Sequence, residues 1–155
     1  MNELCVKVLR ALEGKTLVTA ESCTGGGIGS ALTAIPGSSE VYKGGVICYS
    51  NWVKENVLGV DSDVLVKHGA VSGPVAERLA SGVRKLMKAD VAVSVTGLAG
   101  PGGDDFGNEV GTVYIAYEDQ LRSLVKCFRF SGDRETVRKQ TVETALRILL
   151  ECHSE

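Results

Sequence analysis

Ser22 lies in the run Glu21-Ser22-Cys23-Thr24-Gly25-Gly26-Gly27, after a short β-type stretch and before a helix of small residues. A hydroxyl in that position either caps the helix or, once a base takes its proton, attacks an electrophilic carbon. The glycines offer backbone N–H groups at a helix start, a setting that stabilises a phosphate or a developing oxyanion. Lys54 stands one turn into a helix that begins at Ser50 or Asn51. It is either a solvated surface lysine or a desolvated base, its pKa drawn from about 10.4 towards 7–8. A Ser–Lys pair is a known variant of the nucleophile–base arrangement. Cys23 competes for the nucleophile's place, because a helix N-terminus lowers a thiol pKa. Its alternative is a small buried residue, the commoner role of an intracellular cysteine. Farther on, residues 96–103 read Thr96-Gly97-Leu98-Ala99-Gly100-Pro101-Gly102-Gly103, where glycines let the backbone approach a phosphate or a planar ring. Arg134 and Arg138, four apart, either bind a phosphate or pair with Asp133 and Glu135 on a solvated face.

These groups work together only if the fold gathers them. Apolar spacing predicts a helix over 2–13, strands over 16–20, 44–49 and 91–96, and helices over 28–35, from 51 towards Gly59, and over 62–68. Pro74 opens a further helix whose stripe is Val75, Leu79, Val83 and Leu86. Residues 97–111, with six glycines, must be a loop, and loops of that length are usually functional. Residues 112–118 and 121–130 flank Asp119-Gln120 as a hairpin, and a long helix follows from about Asp133. Five strands interleaved with helices predict a sheet covered on both faces, its early strands parallel and its late hairpin antiparallel. Turns 21–27, 50–54 and 96–103 each follow a strand, so parallel strands would bring all three to one edge, where open α/β folds bind ligands. Neither His68 nor His153 falls in those turns, and Lys54 does.

The 155 residues (1–155) fit one domain, with 44% hydrophobic and 23% charged residues. A net charge of −2 gives no general attraction to nucleic acid. No apolar run approaches the ~18 residues of a membrane span, and no signal-peptide pattern is present. Five cysteines without CxxC spacing, with no HExxH, give no support to a metal site or a disulfide framework. The patterns GxxxxGK[ST] and GxGxxG are absent too, which excludes the P-loop and the dinucleotide fingerprint. The expectation is a cytoplasmic, reduced protein needing no cofactor.

The runs TAESCTGG (19–26), PGSS (36–39), GG-x-x-x-YSN-x-x-K (44–54), HGAVS (68–72), TGLAGPGG (96–103), VGTVYIA (110–116) and SGDRETVR (131–138) together resemble the CinA C-terminal domain family. The resemblance spans nearly the whole chain. It implies an α/β fold, three-layer α/β/α with a five-stranded mixed, mainly parallel sheet. It also implies a nicotinamide mononucleotide deamidase, releasing nicotinate mononucleotide and ammonia without a metal, in pyridine nucleotide salvage. The family's proposed Ser–Lys dyad falls on Ser22 and Lys54. Thr24, Gly25 or Gly97 would then stabilise the oxyanion, Tyr49 and Asn51 would orient the lysine or carboxamide, and Thr96 would border the substrate. The phosphate would lie against a helix N-terminus or an arginine such as Arg138. Two-domain members carry an additional module resembling a molybdopterin-binding domain, and none of it is expected in these residues. Two alternatives remain: a catalytically silent nucleotide-binding or regulatory module, and a cysteine amidohydrolase using Cys23. An apolar face on the last helix would suit either the core or a homodimer.

Overall fold

Three apolar runs and a hairpin assemble into one sheet in the computed structural model, which describes residues 1–153. The order along the chain is α1 (Asn2–Ala11), β1 (Leu17–Glu21), α2 (Gly27–Thr33), a 3-10 turn (Ser38–Glu40), β2 (Tyr42–Ile47), α3 (Asn51–Asn56), α4 (Ser62–His68), α5 (Gly73–Met87), β3 (Val91–Gly97), β4 (Thr112–Glu118), β5 (Ser123–Arg129) and α6 (Arg134–His153). In space the strands lie in the order β2-β1-β3-β4-β5. Pairs β1–β2 and β1–β3 are parallel and pairs β3–β4 and β4–β5 antiparallel, so β4 runs against the other four. β1 is buried at every position because helices cover both faces, its polar residues Thr19 and Glu21 included.

One face carries α1, α2 and α6, with Val8, Leu12, Ile28, Leu32 and Leu146 packed on Val93, Val95 and Ile115. The other carries α4 and α5, where Val75, Leu79 and Val83 meet Val18, Ala20 and Ala92. Ser72 caps α5 by accepting from the Val75 N–H, and Pro74 occupies its first turn. The expected stripe stops one turn early: Leu86 is exposed, and Met87 packs on the core in its place. The α6 stripe (Val137, Val142, Ala145, Leu146, Ile148, Leu149) is buried within this same chain, so it presents no apolar face to a second copy.

Two strand boundaries shift for local reasons. β2 begins at Tyr42 and ends at Ile47, before the expected 49, since the Cys48 N–H makes a last bond to the Glu21 carbonyl (2.9 Å) before the chain turns. Ser50 then caps α3 by accepting from the Val53 N–H. A Cβ on Gly45 would overlap Thr19, so a glycine is required where β2 crosses β1. β5 starts at Ser123 because Leu121 and Arg122 belong to the turn, their N–H groups donating to Asp119 Oδ1. The loop after β3 is pinched at its base by Leu98 N–H to Thr112 O (2.9 Å) and Gly111 N–H to Leu98 O (2.7 Å). Asn108 ties it to the body by donating to the Val71 carbonyl.

Candidate active site

Parallel pairing brings the carboxyl ends of β1, β2 and β3 to one edge. Ser22 continues β1 there, its N–H donating to the Val95 carbonyl (3.1 Å). Lys54 reaches it from α3: Nζ lies 3.1 Å from Ser22 Oγ, 2.6 Å from the Cys48 carbonyl oxygen and 3.3 Å from that of Tyr49. Lys54 is 1% exposed and Ser22 7%. Burial lowers the Lys54 pKa from its ordinary value, outweighing the opposing influence of Cys48 and Cys23. Nζ thus has three oxygen acceptors in reach, two carbonyls and the Ser22 hydroxyl, and loss of one proton would leave its lone pair for the hydroxyl. Cys23 is buried, and burial pushes its thiol up to about 12, so no thiolate forms there at neutral pH and the cysteine mechanism loses its nucleophile. Burial likewise raises Cys48 to about 11.

The start of α2 departs from expectation. Glu21, 2% exposed, turns its carboxylate into the helix and accepts from Ile28 N–H (2.7 Å), Gly29 N–H (3.1 Å), Thr24 Oγ1 (2.7 Å) and Thr19 Oγ1 (3.3 Å). The Gly25 N–H donates to the Ser22 carbonyl and the Gly27 N–H to that of Thr24. The helix terminus expected to receive a phosphate is therefore filled by the protein's own carboxylate. Gly25 is also removed as an oxyanion donor. Among the described residues, the N–H groups of Cys23 and Thr24 donate to no protein acceptor and are left for a ligand. Gly25 (φ +60°) and Gly26 (φ +100°) take left-handed conformations that let the chain turn from strand into helix so abruptly.

Beyond the dyad, a cleft of roughly 330 Å³ is lined by Cys23, Tyr49, residues 97–103 and Arg134. Gly97 borders it at the end of β3; a Cβ there would strike Val113 at 2.6 Å, so the position needs glycine. Tyr49 is largely exposed, and its Oη accepts from Arg134 Nη2 (3.2 Å), while Arg134 Nη1 donates to the Gly100 carbonyl (2.7 Å). Arg138 donates through Nε to the Cys23 carbonyl and through Nη2 to the Thr24 carbonyl, both at 3.1 Å. Thr96 follows Val95, whose carbonyl accepts the Ser22 N–H, but its own hydroxyl donates to the Ala70 carbonyl (2.8 Å) and braces the chain before α5. Asn51 is exposed at the start of α3, and its side chain makes no hydrogen bond to Lys54 or Ser22. Sequence reasoning missed Glu21. The available signal was an acidic residue closing an apolar strand immediately before a glycine-rich helix start. Among the described residues no three His, Cys, Asp or Glu side chains cluster as metal ligands, and no helix is long and apolar enough to cross a membrane.

A family model described as the CinA C-terminal domain matches residues 1–153. A CinA-like protein of Thermotoga neapolitana is 44% identical over 149 residues, covering 96% of this chain and 36% of its own length. A CinA-like protein of Trichodesmium erythraeum is 48% identical over 139 residues, covering 88% of this chain and 33% of its own. The chain thus spans about a third of the length of these relatives. Two solved structures match over almost their full length. The competence damage-inducible protein A of Klebsiella pneumoniae has 40% identity and a TM-score of 0.95, over 99% of this chain and 98% of that one. A competence or damage-inducible protein of Enterobacter asburiae has 35% identity and a TM-score of 0.96, with the same coverages.

Proposed function

This chain belongs to the CinA C-terminal domain family, and we propose that it is a cytoplasmic amidohydrolase that converts nicotinamide mononucleotide to nicotinate mononucleotide and ammonia. The observation that carries this reading is the buried Lys54 Nζ at 3.1 Å from Ser22 Oγ. Neutral Lys54 takes the Ser22 proton as Oγ bonds to the carboxamide carbon, and the Thr24 N–H stabilises the oxyanion. The ammonium of Lys54 returns that proton to the leaving nitrogen as the C–N bond breaks, releasing ammonia. Water, deprotonated by the same lysine, then attacks the acyl carbon, and the lysine passes that proton to Ser22 Oγ as the ester bond breaks and the carboxylate is freed. The nicotinamide ring enters the cleft between Tyr49 and the 97–103 loop, and the arginines at the start of α6 supply positive charge for the phosphate. The reaction fits a salvage step for pyridine nucleotides.

The test is release of ammonia and nicotinate mononucleotide by wild type, Ser22→Ala and Lys54→Ala with a chelator present. Turnover by wild type and its loss in both variants, with melting curves unchanged, is the expected result. Full turnover by Ser22→Ala removes the acyl-enzyme. Binding without turnover in the wild type makes the chain a nucleotide-binding module.

A further inference from the structure

Arg138 is half-buried on α6, 115 residues after Cys23 in the chain, yet its guanidinium grips the turn that carries Ser22. Nε and Nη2 donate to two consecutive carbonyls, those of Cys23 and Thr24. In a planar trans peptide the N–H points opposite the carbonyl. Drawing the Cys23 carbonyl towards α6 therefore turns the Thr24 N–H away from α6. Ser22 continues the alternation of Val18 and Ala20, which face α5 on the side of the sheet away from α6, and its Oγ meets Lys54 there. The following residues, Gly25 and Gly26, have left-handed φ values of +60° and +100°. Backbone bonds hold the carbonyls on either side, Gly25 N–H to the Ser22 carbonyl and Gly27 N–H to that of Thr24, whereas the Cys23 carbonyl between them has Arg138 as its one donor among the described residues. The Glu21 carboxylate fixes Thr24 through its side chain and α2 through Ile28 and Gly29, but it touches neither the Cys23 nor the Thr24 carbonyl.

We propose that Arg138 is a positioning residue for the reaction: its two-carbonyl grip holds the Cys23–Thr24 peptide so that the free Thr24 N–H faces the oxyanion formed at Ser22. This rests on the Ser22 mechanism of the preceding section, and it gives Arg138 a role independent of any phosphate. A lysine retains the charge but lacks the planar fork that bridges two acceptors.

Three substrates separate these roles in Arg138→Lys and Arg138→Met: nicotinamide mononucleotide, nicotinamide riboside, which lacks the phosphate, and p-nitrophenyl acetate, which lacks both nucleoside and phosphate. With melting temperatures checked, the burst of p-nitrophenolate from acylation of Ser22 should slow ~10- to 100-fold, somewhat less than deletion of an oxyanion donor. The kcat for riboside and for mononucleotide should fall by the same factor, with KM for the riboside unchanged. Arg138→Lys preserves the side-chain stem, so it keeps the test valid if Arg138→Met does not fold. A loss confined to KM for the mononucleotide overturns the proposal and makes Arg138 a phosphate ligand only. An unchanged ester burst overturns it as well. A wild type that is acylated by the ester yet leaves the mononucleotide intact refutes the deamidase reading, while the burst still reports on Arg138. A wild type that the ester does not acylate overturns the Arg138 role along with Ser22 as nucleophile.

Discussion

Replacing Glu21 with Gln changes one atom's chemistry and almost no volume, yet it should destabilise the fold substantially. The buried carboxylate accepts four hydrogen bonds, two from backbone N–H groups of α2 and two from threonine hydroxyls. An amide oxygen in the Oε1 position keeps Thr24 and Ile28, but the NH2 then faces the Gly29 N–H, donor against donor. One orphaned buried N–H costs about 1–3 kcal/mol, and each of the two retained bonds loses about 1 kcal/mol when its acceptor becomes neutral. Relief from burying a charge offsets part of this. The net loss is about 2–3 kcal/mol, which in a domain of this size lowers Tm by roughly 4–12 °C. Urea unfolding should show a lower midpoint at an unchanged slope. Turnover should fall too, since Ser22 follows Glu21 directly. A Glu21→Gln protein within about 0.5 kcal/mol of wild type, the usual range for a surface substitution, would refute the view that this carboxylate organises the helix start.

Since burial lowers the Lys54 pKa, the base is active when neutral, and kcat/KM should rise with pH through a value below the ordinary ~10.4 before levelling off. Between the folded pKa and ~10.4 the unfolded chain binds the extra proton, so unfolding free energy should also rise with pH there. Lys54→Met should abolish that slope, as measured by urea titration at several pH values. Cys23→Ala should keep turnover within about twofold, because a thiol at about 12 contributes no nucleophile at neutral pH; loss of turnover in an intact fold would return the cysteine to the mechanism.

Much of the fold was legible because local chemistry and global burial agree. Pro74, Gly69 and Ser50 punctuate helices where they were expected, and the buried strands β1 and β3 stand out by their valines and alanines. Alignment of three strand ends on one edge followed from element order, and with it the approach of Lys54 to Ser22 across 32 residues. What stayed hidden depends on where side chains point after folding. Glu21 was marked only by its place at the end of β1, and its partners Ile28 and Gly29 are met only once the chain doubles back. Thr96 has the right position, but its hydroxyl is taken by a carbonyl from the segment before α5. The α6 stripe could have faced a partner or the core, and only packing distinguished them.

The grip of Arg138 on the Ser22 turn has a consequence for the order of events during synthesis. Ser22 and Lys54 leave the ribosome early, whereas Arg138 follows Cys23 by 115 residues. At about 5–20 residues per second that gap lasts roughly 6–23 s. Through it the nascent chain carries both members of the dyad, while the Cys23 carbonyl beside Ser22 still lacks its donor. On the proposed roles of Ser22 and Arg138, the oriented Thr24 N–H then arrives only with the C-terminal helix, and a chain that stops short of α6 lacks the complete site.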